Sequence, residues 1–133
     1  MSSVIEEVTE KAASMTLTAG GSARWLAPEL IDGSILSPTM EADTYSFAMA
    51  ILELLTMKRP YAHRKRDASV IHDVVIMKMT PPRPKDPDSK QWLTDALWML
   101  MEECWYSNAS GRPVMSQVAT RMAAMEVSEQ TTF

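Results

Sequence analysis

Apolar residues fall into a few dense stretches separated by proline-rich and hydroxyl-rich breaks, and the spacing within each dense stretch predicts a helix. The densest runs from Glu41 to Met57, where Phe47–Leu55 holds eight apolar residues in nine, Glu53 being the exception. A helix apolar nearly all round in a soluble chain is wrapped by its neighbours, so this segment is predicted to lie at the centre of the core. Lys58, Arg59 and Pro60 end it. Asp67 is predicted to cap the next helix, with Val70, Ile71, Val74 and Val75 on one face. Four prolines between Pro81 and Pro87 then forbid regular structure. A third long helix is predicted to start at Asp88 or Ser89, its stripe running Trp92, Leu93, Ala96, Leu97, Leu100, Met101, Cys104 and Trp105. A last helix, Met115 to Met125, places Val118, Met122 and Met125 together. Upstream, Trp25–Ile31 carries Pro28 followed by Glu29, the order expected in the first turn of a brief helix. Residues 1–18 read as a loop and residues 126–133 as a polar tail.

Composition narrows the function classes. At 133 residues and 46% hydrophobic, the chain has the size and apolar content of one folded domain, which excludes a disordered or collagen-like chain. Its net charge of −4 gives no overall reason to hold a phosphate backbone, so nucleic acid is not an expected partner. The longest uninterrupted apolar runs, such as Phe47–Leu52, are too short for a membrane span. Glu6, Glu7 and Glu10 occupy the N-terminal stretch where a secretory signal needs basic and then apolar residues. With Cys104 the sole cysteine, a cytoplasmic or nuclear location is expected. His63, His72 and Cys104 lack metal-ligand spacing, and no metal is assigned. Lys58, Arg59, Arg64, Lys65 and Arg66 read first as a solvated loop, with an anion-binding or nuclear-import patch as the alternative. Twelve methionines are unusual for this length and are explained by nothing in the composition.

The stretch Gly21-Ser22-Ala23-Arg24-Trp25-Leu26-Ala27-Pro28-Glu29 resembles the end of a protein-kinase activation segment, with its Ala-Pro-Glu signature. Asp43-Thr44-Tyr45-Ser46-Phe47, then Glu53-Leu54-Leu55-Thr56 and Arg59-Pro60-Tyr61, are similar to the central helix of the kinase large lobe. Cys104-Trp105 followed by Arg112-Pro113 is similar to the junction of the last two helices. The motifs keep the family's order over about residues 19 to 125, and Arg24-Trp25 with Cys104-Trp105 point to the tyrosine-kinase-like serine/threonine branch. The resemblance implies a mainly α fold: the C-terminal (large) lobe, about four long helices plus a short one, without the nucleotide-binding small lobe. It implies substrate docking at Gly21, Ser22, Arg24 and Trp25, and a structural ion pair between Glu29 and Arg112. It implies support of a catalytic loop by Asp43, and candidate phosphorylation at Ser14, Thr16 and Thr18.

Three departures from the family's pattern stand out. Ala48 replaces a glycine in the central helix, Val114 stands where a hydroxyl residue caps the last helix, and Ala109 replaces a proline. The sequence also contains no Gly-x-Gly-x-x-Gly, no His-Arg-Asp and no Asp-Phe-Gly, the parts that cover the nucleotide, act on the substrate hydroxyl and hold magnesium. The expectation is a partial protein kinase domain. Its family activity is ATP-dependent phosphorylation of protein serine or threonine, and the isolated chain is inactive with no cofactor of its own; ATP and Mg²⁺ belong to the complete domain. A protein substrate or a partner kinase is the expected partner. The alternative is a non-catalytic helical interaction module that binds partner kinases or substrates, and exposed apolar surface would also allow self-association.

Overall fold

The computed structural model of the chain describes residues 23–130, in which every regular element is helical. Six α-helices follow in order: α1 Pro28–Ile31, α2 Met40–Thr56, α3 Asp67–Ile71, α4 Pro87–Lys90, α5 Asp95–Cys104 and α6 Met115–Gln130. A π-helical turn, His72–Ile76, extends α3, and a 3₁₀ turn, Ala109–Gly111, precedes α6. The mainly α large-lobe architecture expected from the sequence is the one observed, while the predicted loop 1–18 lies outside the described residues.

Helix α2 is the axis. Thr39 accepts a hydrogen bond from the Ala42 amide at its start, and Met57 ends it in the left-handed conformation at φ 57° with its N–H on the Glu53 carbonyl. Tyr45, Ala48, Met49 and Leu52 are buried along it. They join Leu30 and Ile31 of α1, Val70 of α3 and Val74 of the π-turn, and Leu100, Met101 and Cys104 of α5, with Val118 of α6, in a single core. Ala48 is almost fully buried, so the methyl that replaces a glycine is accommodated within this core.

The predicted single helix from Asp88 or Ser89 to Trp105 is in fact two. Asp86 caps α4 through the Ser89 amide, the chain turns at Gln91–Trp92, and Thr94 caps α5 through the Leu97 amide. Two side-chain caps eight residues apart outcompete a continuous apolar stripe, and Trp92 is left 62% exposed. Arg83 binds the proline stretch to this corner: it donates to the Leu93 carbonyl at 2.9 Å, pairs with Asp95 at 2.7 Å and lies 5.9 Å over the Trp98 ring. Trp98 in turn meets Trp105 edge to face at 5.5 Å. Asp67 also departs from its predicted role. Arg66 occupies the cap position of α3 and has no side-chain acceptor to offer, while Asp67 lies one residue inside the helix with its carboxylate taken by Arg24.

Helix α6 extends to Gln130, five residues beyond the predicted end. At its start Val114 offers no side-chain acceptor, but Gln117 reaches back to the Val114 amide at 3.3 Å. That is the return half of a capping box without its forward half. Val114→Ser supplies the missing acceptor, and thermal denaturation should show a gain of about 0.5–1 kcal/mol; an unchanged melting curve would mean that the α6 amides are already satisfied.

Candidate functional site

The strap from Arg24 to Glu29 is short, yet each end is fixed by a buried arginine. At the front, Ala23 and Ala27 are buried and Arg24 is fully enclosed. A buried guanidinium needs its donors satisfied, and here each nitrogen has an acceptor. Nε donates to Asp67 at 2.6 Å, Nη1 to the Pro60 and Tyr61 carbonyls at 3.1 and 2.7 Å, and Nη2 to the Arg64 carbonyl at 2.7 Å. Arg24 thereby fixes the loop between α2 and α3. Tyr61 is held at φ 57°, a conformation non-glycine residues seldom adopt, and the Arg24 bond to its carbonyl helps to hold it there. Next in line, Trp25 is half-buried and donates from Nε1 to Glu53 on α2 at 3.1 Å.

The rear of the strap is pinned by Arg112. Its side chain is wholly buried and grips Glu29 with two bonds, Nη1–Oε2 at 2.6 Å and Nη2–Oε1 at 2.9 Å. It also donates to the Glu41 carbonyl at 3.0 Å and the Tyr106 carbonyl at 2.9 Å, and stacks 5.0 Å over the Tyr45 ring. The planar fork suits this work, and a lysine in its place would reach only part of it. Burial raises the Glu29 carboxyl, but the Arg112 hydrogen bonds and charge outweigh it, and its pKa lies below the usual carboxylate range.

Behind the strap, Arg64 makes a bidentate pair with Asp73 at 2.8 and 3.2 Å, fixing the buried carboxylate of the π-turn. Neither this pair nor the Arg24–Asp67 pair is legible as a motif. The partners are nine and forty-three residues apart, with a helix start between Arg64 and Asp73, so no periodicity links them. Asp43 sits exposed in the first turn of α2, and its side chain makes no hydrogen bond or ion pair among the described residues. Gly21, Ser22, Ser14, Thr16 and Thr18 lie outside the described residues. Burial pushes the Cys104 thiol up to about 11, so it is no nucleophile near neutral pH. Burial likewise pushes Tyr45 up to about 12.

The donor set does not fit a magnesium nucleotide. Among the described residues no three His, Cys, Asp or Glu side chains gather to hold a metal, and Glu29, Asp67 and Asp73 are all engaged by arginines. What the arrangement can do is present a held strap and a braced loop to another chain.

Two expectations follow. Because the Glu29 carboxyl is depressed in the folded state, its contribution to stability is present above the unfolded Glu value of about 4.3 and is lost as pH falls through the folded value. Urea titrations from pH 7 to pH 3 should therefore show Glu29→Gln less stable at pH 7 but with a flatter acid limb than the parent; parallel limbs would contradict the buried pair. Arg24→Lys, which cannot span four acceptors, should cost roughly 2–4 kcal/mol and speed amide hydrogen exchange in the 60–67 loop well before the α5 amides. Unchanged exchange there would show that the loop holds itself.

The family model described as protein tyrosine and serine/threonine kinase matches residues 2–122. A probable serine/threonine-protein kinase of Dictyostelium discoideum is 33% identical over 112 residues, covering 84% of this chain and 7% of its own length. Mitogen-activated protein kinase kinase kinase 10 of Homo sapiens is 34% identical over 113 residues, covering 84% of this chain and 11% of its own. A receptor-type guanylate cyclase, gcy-1 of Caenorhabditis elegans, is 33% identical over 113 residues, covering 81% and 10%. The chain thus spans about a tenth of the length of these relatives, and over that span it belongs to the protein tyrosine and serine/threonine kinase family.

Proposed function

We propose that this chain is the substrate-side part of a protein kinase domain, inactive in phosphoryl transfer by itself, whose strap at Arg24–Glu29 receives a serine- or threonine-bearing protein segment. The observation that carries the reading is the double pinning of that strap. Arg24 ties its front to the 60–67 loop and Arg112 ties its rear to α2 and the α5–α6 junction. A peptide platform must hold its shape without its ligand, and two enclosed guanidiniums supply that rigidity. Nucleotide chemistry then falls to residues that this chain lacks, since the glycine-rich loop, the catalytic-loop aspartate and the magnesium aspartate have no counterpart in it. Asp43, exposed and without a side-chain partner among the described residues, fits support of a catalytic loop.

A second reading is favoured by one finding, the large apolar side chains exposed among the described residues. In it the lobe is a non-catalytic interaction module. Leu54, Met57, Trp92 and Met99 are large apolar side chains more than half exposed, and they would serve association with a partner kinase or a second copy.

The chain alone should show no change in melting temperature with Mg²⁺-ATP and no phosphate incorporation into a protein substrate. A chimera in which residues 19–125 replace the matching segment of human mitogen-activated protein kinase kinase kinase 10 separates the readings. Retained phosphoryl transfer by the folded chimera is the result expected here, and a folded, ATP-binding chimera that transfers nothing would favour the interaction module.

A further inference from the structure

The loop from Lys58 to Arg66 carries Lys58, Arg59, Arg64, Lys65 and Arg66 and no acidic residue, in a chain whose net charge is −4. Two carboxylates follow it closely, Asp67 and Asp73, and each already has its own arginine: Asp67 is bonded by Arg24 and Asp73 by Arg64. Four cations, Lys58, Arg59, Lys65 and Arg66, therefore remain exposed with no ion pair among the described residues. A loop of like charges normally spreads and moves. This one has its backbone fixed, because Arg24 holds the carbonyls of Pro60, Tyr61 and Arg64.

The loop also borders a concavity. A cavity of about 250 Å³ lies between Lys58, Arg59 and His63 on one wall and Pro81, Pro82 and Pro84 on the other. Asp86 also lines it: its carboxylate accepts from the Ser89 amide and hydroxyl at 3.0 and 2.8 Å, and its charge, which these bonds and Lys58 hold in the ionised form, offsets part of the cationic lining. The prolines carry no N–H, so that wall offers apolar surface and carbonyls, and attraction for charge comes from the cationic wall.

We propose that this loop and cavity form a docking surface for an acidic protein segment, placed beside the strap by Arg24. The charge sign and the fixed backbone suit an extended chain bearing Asp and Glu. A long nucleic acid is disfavoured because its charge would run on to the acidic remainder of the molecule. The inference deepens the substrate-side reading by giving the class of segment, and it is tested by binding alone, so the failure of phosphoryl transfer and the failure of docking are separate results.

The test uses the full 133-residue chain and a fluorescein-labelled octapeptide of alternating Glu and Asp, read by anisotropy at about 50 mM salt, where screening is weak. Saturable binding is expected, weakened roughly tenfold or more by Lys58→Glu with Arg59→Glu. Lys78→Glu with Lys90→Glu changes net charge equally away from the cavity lining and should weaken binding less than about twofold. Circular dichroism monitors folding, and the neutral pair Lys58→Gln with Arg59→Gln gives an intermediate loss if the reversal pair unfolds. Absence of saturable binding would overturn the proposal, as would equal loss in the two reversal pairs or tighter binding of a DNA duplex of matched charge.

Discussion

Arg112 is the side chain on which the rest depends. It directly follows the 3₁₀ turn before α6, eighty-three residues after Glu29, and is buried with a full set of partners. One guanidinium joins α1 through Glu29, the first turn of α2 through the Glu41 carbonyl, and the end of α5 through the Tyr106 carbonyl. Charged groups leave water only when such partners replace it, and loss of one strands the other at a cost of about 3–5 kcal/mol. The pair therefore acts as a condition on the fold: helices whose contacts are mostly apolar, and so tolerant of sliding, are fixed in one register by a directional contact.

Arg24 repeats the device on the other side of the strap. Its partners are mainly carbonyls, so it fixes a loop rather than a helix, and it tolerates the left-handed Tyr61 that a looser loop would relax. The two arginines leave a stretch of six residues whose position is set from both ends. Met49 and Met101 are enclosed in the core, while Met40, Met57, Met77, Met79 and Met99 lie substantially exposed. The excess of methionine thus divides between gap filling and adaptable surface.

Much of the fold was legible because long apolar periodicity survives tertiary context. Helix α2 and helix α6 start within a residue of the positions expected from pattern alone. The third predicted helix failed at Gln91–Trp92, since a stripe of apolar residues does not register that Asp86 and Thr94 each start a helix of their own. Asp67 was misassigned for a related reason. An acid before an apolar run reads as a cap, and only the fold reveals a buried arginine forty-three residues upstream that claims it. The Ala-Pro-Glu and Arg-Pro motifs pointed to Glu29 and Arg112 through resemblance, whereas the Glu53 partner of Trp25 and the Arg64–Asp73 pair had no signal in spacing or composition.

The central claim is that Glu29 and Arg112 act on stability as one unit. A double-mutant cycle with Glu29→Gln, Arg112→Met and the double variant, followed by urea denaturation at pH 7, measures this directly. A coupling of about 2 kcal/mol or more is predicted, with the double variant more stable than the sum of the single losses allows. Additive losses would contradict the account, because they would mean that the helices find their register without the buried pair.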